Sequence, residues 1–397
     1  MLFLPVAVFS VYQHWDPLKV CVVGSTWPPE FYNWITVARV RSLFEKIAEE
    51  TTEDLDRLAK TLEKFGVEVL RPNLPKKHQD STGKYLRPPQ TPRDYLGMIG
   101  DSLYNNFGFF PASLPVDYDL LEFYKDYQQP SWPSLTDISQ VDRLPASIRN
   151  RLEFGWQTYR GKSSTLGCFD DIVAYVTQQG NVVREGIDRR FNSAVIYRIG
   201  QDLFHGTMGQ ISSQTHSLQR WQRVIDREFS DFNNHIVDTQ GHSDGMYCPV
   251  CPGLIISLDN LDSIQHHFPN WEIVWLPHQS QVVNSNYQKL KLQSQGKWWI
   301  PGWEHDQAVI DLVDHCLGRW TGNVRETVFD VNMLIVDTKN VIVMNHCERV
   351  FKVFERYGIT AHVCPLRHSY FWDGGIHCVT ADLHREGAMQ DWFPHRS

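Results

Sequence analysis

Near the end of the chain, Gly374-Gly375-Ile376-His377-Cys378 places a thiol directly after a histidine and behind a pair of glycines. A thiol carried by so flexible a turn reads as one that meets a ligand closely; a cysteine that only fills a core has no need of such a turn. Nucleophilic cysteine chemistry requires a thiolate, a proton-transfer partner and a group that orients that partner. Gly241-His242-Ser243-Asp244 offers His242 and Asp244 two residues apart, so both project from one face of an extended segment. Asn192 stands just before a candidate hairpin, and Asp94 follows Pro92-Arg93 at the mouth of another. Cys378, His242 and Asn192 suffice for nucleophile, acid/base and orienting group. Asp94 and Asp244 exceed what a peptidase needs. They suit a guanidinium, which is planar, permanently charged and held bidentately by carboxylates. Singly, each of these side chains also has a plain structural role: a core thiol, a hydrogen-bonded imidazole, a carboxylate capping a turn. Their joint placement at the mouths of successive units favours the chemical reading.

The elements that must position them repeat. Thr51 with Asp54 predicts a helix start, Leu55, Leu58, Ala59, Leu62 and Phe65 mark its apolar face, and Gly66 predicts its end. A short strand, "VEVL", follows and stops before Pro72. The same order of helix, turn and strand recurs in "IVAYVTQQGNVV", "SIQHHFPNWEIVWLP", "RVFKVFERYGITAHVCP" and, more loosely, "SLQRWQRVIDREFSDFNNHIVD". Paired β-rich runs, read as hairpins, occur in "YLGMIGDSLYNN", "SAVIYRIGQDLFHGT", "MYCPVCPGLIISLDN" and "NMLIVDTKNVIVMN". The chain therefore reads as an α/β protein of about five irregular hairpin–helix–strand units, able to stack around a shared axis. It is taken as a single domain over 1–397, with Pro-rich, polar insertions near 74–92 and 111–165 covering one face.

Other signals exclude classes. Cys248 and Cys251 are three apart on a predicted strand and point to opposite faces, and no second Cys-x-x-Cys completes a metal site. No stretch is glycine-rich enough for a phosphate loop, and no cofactor or metal is expected. Lys and Arg number 38 against 46 Asp and Glu, with no long single-sign run, which argues against nucleic acid or an anionic membrane as partner. Eight scattered cysteines suit a reducing compartment rather than a disulfide scaffold. The apolar start lacks a basic flank and is too short to span a bilayer, so it is expected to enter the fold as an extended segment of a soluble, cytoplasmic protein.

With these residues in view, the chain resembles the amidinotransferase family, of which arginine:glycine amidinotransferase is the best-known type. The resemblance runs through "HWDPLKVCVVGS", "EETTEDLDRLAKTLEKFGVEVLRP", "PPQTPRDYLGMIGD", "FNSAVIYRIGQDLF", "HSDGMYCPVCPGLIIS", "NMLIVD" and "GGIHCVTADLHREG", leaving out the loops around 115–165 and 278–322. It implies the pentein fold, a five-bladed α/β propeller. It implies that Cys378 takes the amidino group of arginine, that His242 is the general acid/base, and that Asp94 and Asp244 clamp the guanidinium. An amine acceptor, glycine or another amino acid or amine, then receives the group after ornithine has left. A homodimer is compatible with the resemblance. Three departures matter. Asn192 stands where the family usually orients its histidine with Asp, Leu261 where glycine-type members carry Arg, and Arg325 with Glu326 where they carry a Ser pair. Arg325 is thereby a candidate for holding a substrate carboxylate. Rival readings are a hydrolase or deiminase sharing the covalent first half, and a non-enzymatic pentein binding module like initiation factor six.

Overall fold

Short, largely apolar runs on either side of a turn form hairpins, and all four expected from the sequence are present. The computed structural model describes residues 8–79, 83, 85–105, 133–134, 136, 140, 143–145, 167–185, 193–207, 215–239, 241–258, 261, 263–277, 300, 302–303, 305–317, 330–372 and 374–394. In chain order the strands are Leu18–Val23 (β1), Glu68–Leu70 (β2), Leu96–Ile99 (β3), Ser102–Asn105 (β4), Val182–Glu185 (β5), Ile196–Ile199 (β6), Asp202–Gly206 (β7) and Asn233–Val237 (β8). Then come Tyr247–Cys251 (β9), Leu254–Leu258 (β10), Glu272–Leu276 (β11), Leu334–Asp337 (β12), Asn340–Val343 (β13), Thr360–Val363 (β14) and Thr380–Arg385 (β15).

Among the described residues these strands make five three-stranded sheets of one plan. An antiparallel pair, β3–β4, β6–β7, β9–β10 or β12–β13, is joined by a third strand parallel to its second member: β5, β8, β11 or β14. A parallel neighbour needs a crossover, and a helix lies in each. These are Asp170–Gln178 (α2), Thr215–Glu228 (α3), Ile264–His267 (α4) and Glu348–Tyr357 (α6), with Ala38–Lys64 (α1) playing that part between β1 and β2. The fifth sheet takes its antiparallel pair from opposite ends of the sequence, β15 against β1. Gln307–Cys316 (α5) and Ser369–Trp372 (α7) stand outside this scheme.

The helix α1 corrects one expectation. It begins at Ala38, not at Thr51, which sits mid-helix with its hydroxyl bonded to the Ile47 carbonyl at 2.6 Å. The apolar stripe simply extends further back, through Val40, Phe44, Ile47 and Ala48. Its end is as expected: Gly66 takes φ 75°, donates to Glu63 O at 2.9 Å, and Val67 donates to Leu62 O at 3.2 Å. That is a Schellman closure, with Leu62 and Val67 buried in the same apolar cluster.

Of the two insertions, 111–165 lies almost wholly outside the described residues. The stretch 74–92 covers an aromatic group: Tyr85 stacks on Trp34 at 4.0 Å, and the Trp27 indole donates to Leu86 O. The N-terminal segment bridges at Val11 to Gly100 and at Gln13 to Ile199, then turns at His14 and Trp15 before β1. No helix among the described residues is long and apolar enough to cross a membrane.

Candidate active site

The candidate side chains sit where backbone enters the sheets. One-turn 3-10 helices precede three hairpins: Pro92–Asp94 before β3, Ser193–Val195 before β6, and Ser243–Gly245 before β9. Asn332 precedes β12, and the turn 374–379 precedes β15. The 3-10 turns pack side by side, and the Ser243 hydroxyl ties the third to the second through Val195 O at 2.8 Å.

Asp94 is held by the Thr91 hydroxyl, which donates to Oδ2 at 2.8 Å. Its Oδ1 lies 3.7 Å from His242 Nδ1, with both side chains largely covered. Asp244 is fully buried and accepts the Nδ1–H of His377 on Oδ2 at 2.7 Å. The same oxygen is 3.6 Å from Cys378 Sγ. Among the described residues, neither Asp94 Oδ1 nor Asp244 Oδ1 receives a hydrogen bond although both are buried. Two such acceptors call for a donor-rich, cationic partner.

His377 and Asn332 are the residues that sequence reasoning missed. Burial, reinforced by the nearby Arg93 charge, pushes the His377 imidazole down to about 4, so it is neutral near pH 7 and its proton sits on the nitrogen facing Asp244. Asn332 brackets the terminal turn. Its Oδ1 accepts the backbone N–H of His377 at 2.8 Å and of Cys378 at 3.2 Å, while Nδ2 donates to Asp244 O at 3.1 Å and to Cys378 Sγ at 3.0 Å. Local signals were faint: His377 adjoins the cysteine, and Asn332 merely heads a hairpin.

Beneath the site lies a buried ionic cluster, also unforeseen. Asp382 of β15 accepts Arg93 Nη1 at 2.5 Å, Arg198 Nη2 at 2.9 and 3.0 Å, and Arg385 Nε at 2.7 Å. Burial pushes the Asp382 carboxyl up, but Arg198, Arg93 and Arg385 together outweigh it and hold it well below the usual carboxylate range. One carboxylate faces three guanidiniums, so the cluster is cationic, and burial with the neighbouring Arg93 charge brings Arg198 down to about 10. His14 accepts the Arg198 backbone N–H on Nε2 at 3.2 Å; burial and the Arg198 charge keep it neutral.

The structure thus brings Cys378 to Asp244 and Asp94 to His242. Asn192 and Arg325 lie outside the described residues. Leu261 is buried within the largest apolar cluster, alongside Leu258 and Ile264, and so serves the core. Cys248 and Cys251 belong to that cluster too, and burial raises both thiols.

No protein-family model matches the chain. Among characterised proteins, it is 24% identical to the mitochondrial glycine amidinotransferase of Xenopus laevis, over 96% of this chain and 84% of that one. It is 22% identical to a putative inosamine-phosphate amidinotransferase of Streptomyces griseus, over 97% and 99% of the two chains. With the L-arginine:L-lysine amidinotransferase of Pseudomonas savastanoi pv. phaseolicola it shares 21% identity over 98% of each. Among solved structures, an amidinotransferase of saxitoxin biosynthesis from Microseira wollei superimposes with TM-score 0.57 at 16% identity, over 98% of this chain and 100% of that one. The Streptomyces griseus inosamine-phosphate amidinotransferase does so with TM-score 0.56 at 17% identity, over 97% and 99%. Along nearly its whole length, in sequence and in fold, this chain is similar to the amidinotransferases.

Proposed function

We propose that the protein moves the amidino group of arginine to an amine through a covalent amidino-cysteine on Cys378, its five sheets being the blades of a pentein propeller. The observation that carries this reading is the pairing of a cysteine sulfur 3.6 Å from one buried carboxylate with a second carboxylate 3.7 Å from a histidine, each carboxylate keeping one unbonded buried oxygen. A guanidinium satisfies such oxygens with its own N–H groups.

In the first half-reaction the Cys378 thiolate bonds to the central carbon of the guanidinium. The bond from that carbon to the ornithine nitrogen breaks, and His242 supplies the proton that nitrogen takes. In the second, an amine bonds to the amidino carbon, the carbon–sulfur bond breaks, the thiolate returns, and His242 removes the amine's proton. Asn192 is assigned the orienting role toward His242 from sequence alone. Its amide oxygen can accept an imidazole N–H, as in cysteine proteases that use Asn. Arg325 is assigned to a substrate carboxylate on the same basis.

The acceptor is the freest part of the reading. The relatives just described are named for glycine, an inosamine phosphate and lysine at nearly equal identity, so similarity does not choose among them. The apolar, buried Leu261 offers no charge to a carboxylate. We therefore expect glycine not to be the exclusive acceptor.

Incubation with arginine followed by mass spectrometry should find the amidino adduct on Cys378, and Cys378→Ala should lose turnover while still binding arginine. A fully active alanine variant would sink the mechanism. Adding a panel of amines reads the acceptor. Exclusive guanidinoacetate formation would overturn the acceptor claim, and turnover with water alone would make the protein a hydrolase.

A further inference from the structure

The side-chain amide of Asn332 faces four groups, and they fix which way it points. Oδ1 meets two consecutive backbone N–H groups, those of His377 and Cys378. An NH₂ group in that place would set donor against donor. The amide nitrogen must therefore face the other way, where it meets the Asp244 carbonyl and the Cys378 sulfur at 3.0 Å. Gly375 completes the bracket: a Cβ there would stand 2.6 Å from Asn332 Oδ1, so only glycine lets the amide approach. Asn332 itself is 2% exposed, and its amide is not free to turn away into solvent.

The sulfur thus lies between opposed influences. The Asp244 carboxylate, 3.6 Å away, favours the protonated thiol as a donor to it. An amide N–H can only donate, and so favours the thiolate. We propose that Asn332 is a positioning residue for the nucleophile. It fixes the turn from Gly375 to Cys378 through Oδ1 and presents one Nδ2–H to the sulfur, supplying the thiolate with a built-in donor. Cys378 is the nucleophile only on the reading above, so the test titrates the thiol itself and uses no substrate.

The test is the pH dependence of Cys378 alkylation by iodoacetamide, read on its own peptide by mass spectrometry because seven other cysteines are present. The native protein is compared with Asn332→Asp, which keeps an oxygen for the two backbone N–H groups but replaces the donor by a negative charge, and with Asn332→Ser, whose hydroxyl is too short to reach the sulfur. Thermal unfolding of each variant is recorded alongside. Both variants should shift the midpoint upward by about one pH unit or more, slowing alkylation about tenfold at neutral pH. A native midpoint in either folded variant would overturn the proposal. Should Asn332→Asp not fold, Asn332→Ser carries the same comparison, and loss of folding in both would assign Asn332 to the architecture alone and overturn it equally. Absence of an amidino adduct in the native protein would instead remove the functional reading and leave the thiol titration to decide Asn332.

Discussion

The glycine pair before Cys378 does other work than its type suggests. Expected as a flexible turn, it is a place of close approach: an added Cβ at Gly375 would meet the Asn332 side chain at 2.6 to 2.9 Å, and one at Gly374 would press on Thr91 at 3.1 Å. Gly375→Ala should therefore cost about 1–3 kcal/mol by overpacking and slow the reaction of Cys378, because the amide that brackets the turn must move. Denaturant unfolding and the alkylation rate of Cys378 measure the two effects, and a variant unchanged in both would contradict the packing argument. At this scale the sequence singles out Cys378, His242, Asp94 and Asp244 as side chains whose chemistry folding alone does not ask for, and the structure sets Cys378 beside Asp244 and Asp94 beside His242. Asn332 was not legible: its role exists only through contact with residues 45 and 46 positions away, and an asparagine at a strand entry has many commoner reasons to be there.

Among the elements, the hairpins and the helix–strand pairs were readable because their signals are local: a short apolar run, a turn, a left-handed glycine. The start of α1 was not. Val37, which precedes it, makes no side-chain cap, so nothing marks the boundary, and the Thr51–Asp54 pair imitates a capping motif inside the helix. Thr51 bonds back to its own helix instead, a habit of buried threonines. At the other end of α1 the glycine is required by conformation alone. Gly66 holds φ 75° with no atom near enough to touch an added methyl group. Gly66→Ala should thus destabilise by about 1 kcal/mol, the cost of the left-handed region for an L-residue, with activity unaltered. Chemical denaturation checks the first part and turnover the second; a loss of activity would show that the end of α1 communicates with the site.

For the molecule as a whole, the buried histidines set an acid limit. Burial brings His377 and His205 to about 4 and holds His14 well below its ordinary value. In the unfolded chain these imidazoles take up protons near pH 6.5. Between about pH 6.5 and 4 the unfolded state therefore binds more protons, and stability must fall as pH falls through that window. Asp382 adds nothing to this slope. Its carboxyl is depressed, so its contribution is fully present above the ordinary carboxylate range and is lost only as pH drops through its far lower folded value. Unfolding midpoints measured from pH 7.5 to 4 should decline steadily below 6.5, and a flat profile would mean that these histidines are charged in the folded protein. None of this could be read from sequence, because it depends on how deeply three histidines are packed.

The pairing of β15 with β1 has a consequence for the protein as it is made. Cys378, the backbone N–H groups that hold Asn332, and Asp382 all arrive within or just before the strand that completes the first sheet. A nascent chain that already carries Asp94, Asp244 and His242 still lacks Cys378. On the proposed mechanism, translation stalled short of that strand yields a polypeptide without its nucleophile, and the thiol is delivered by the same segment that pairs with β1.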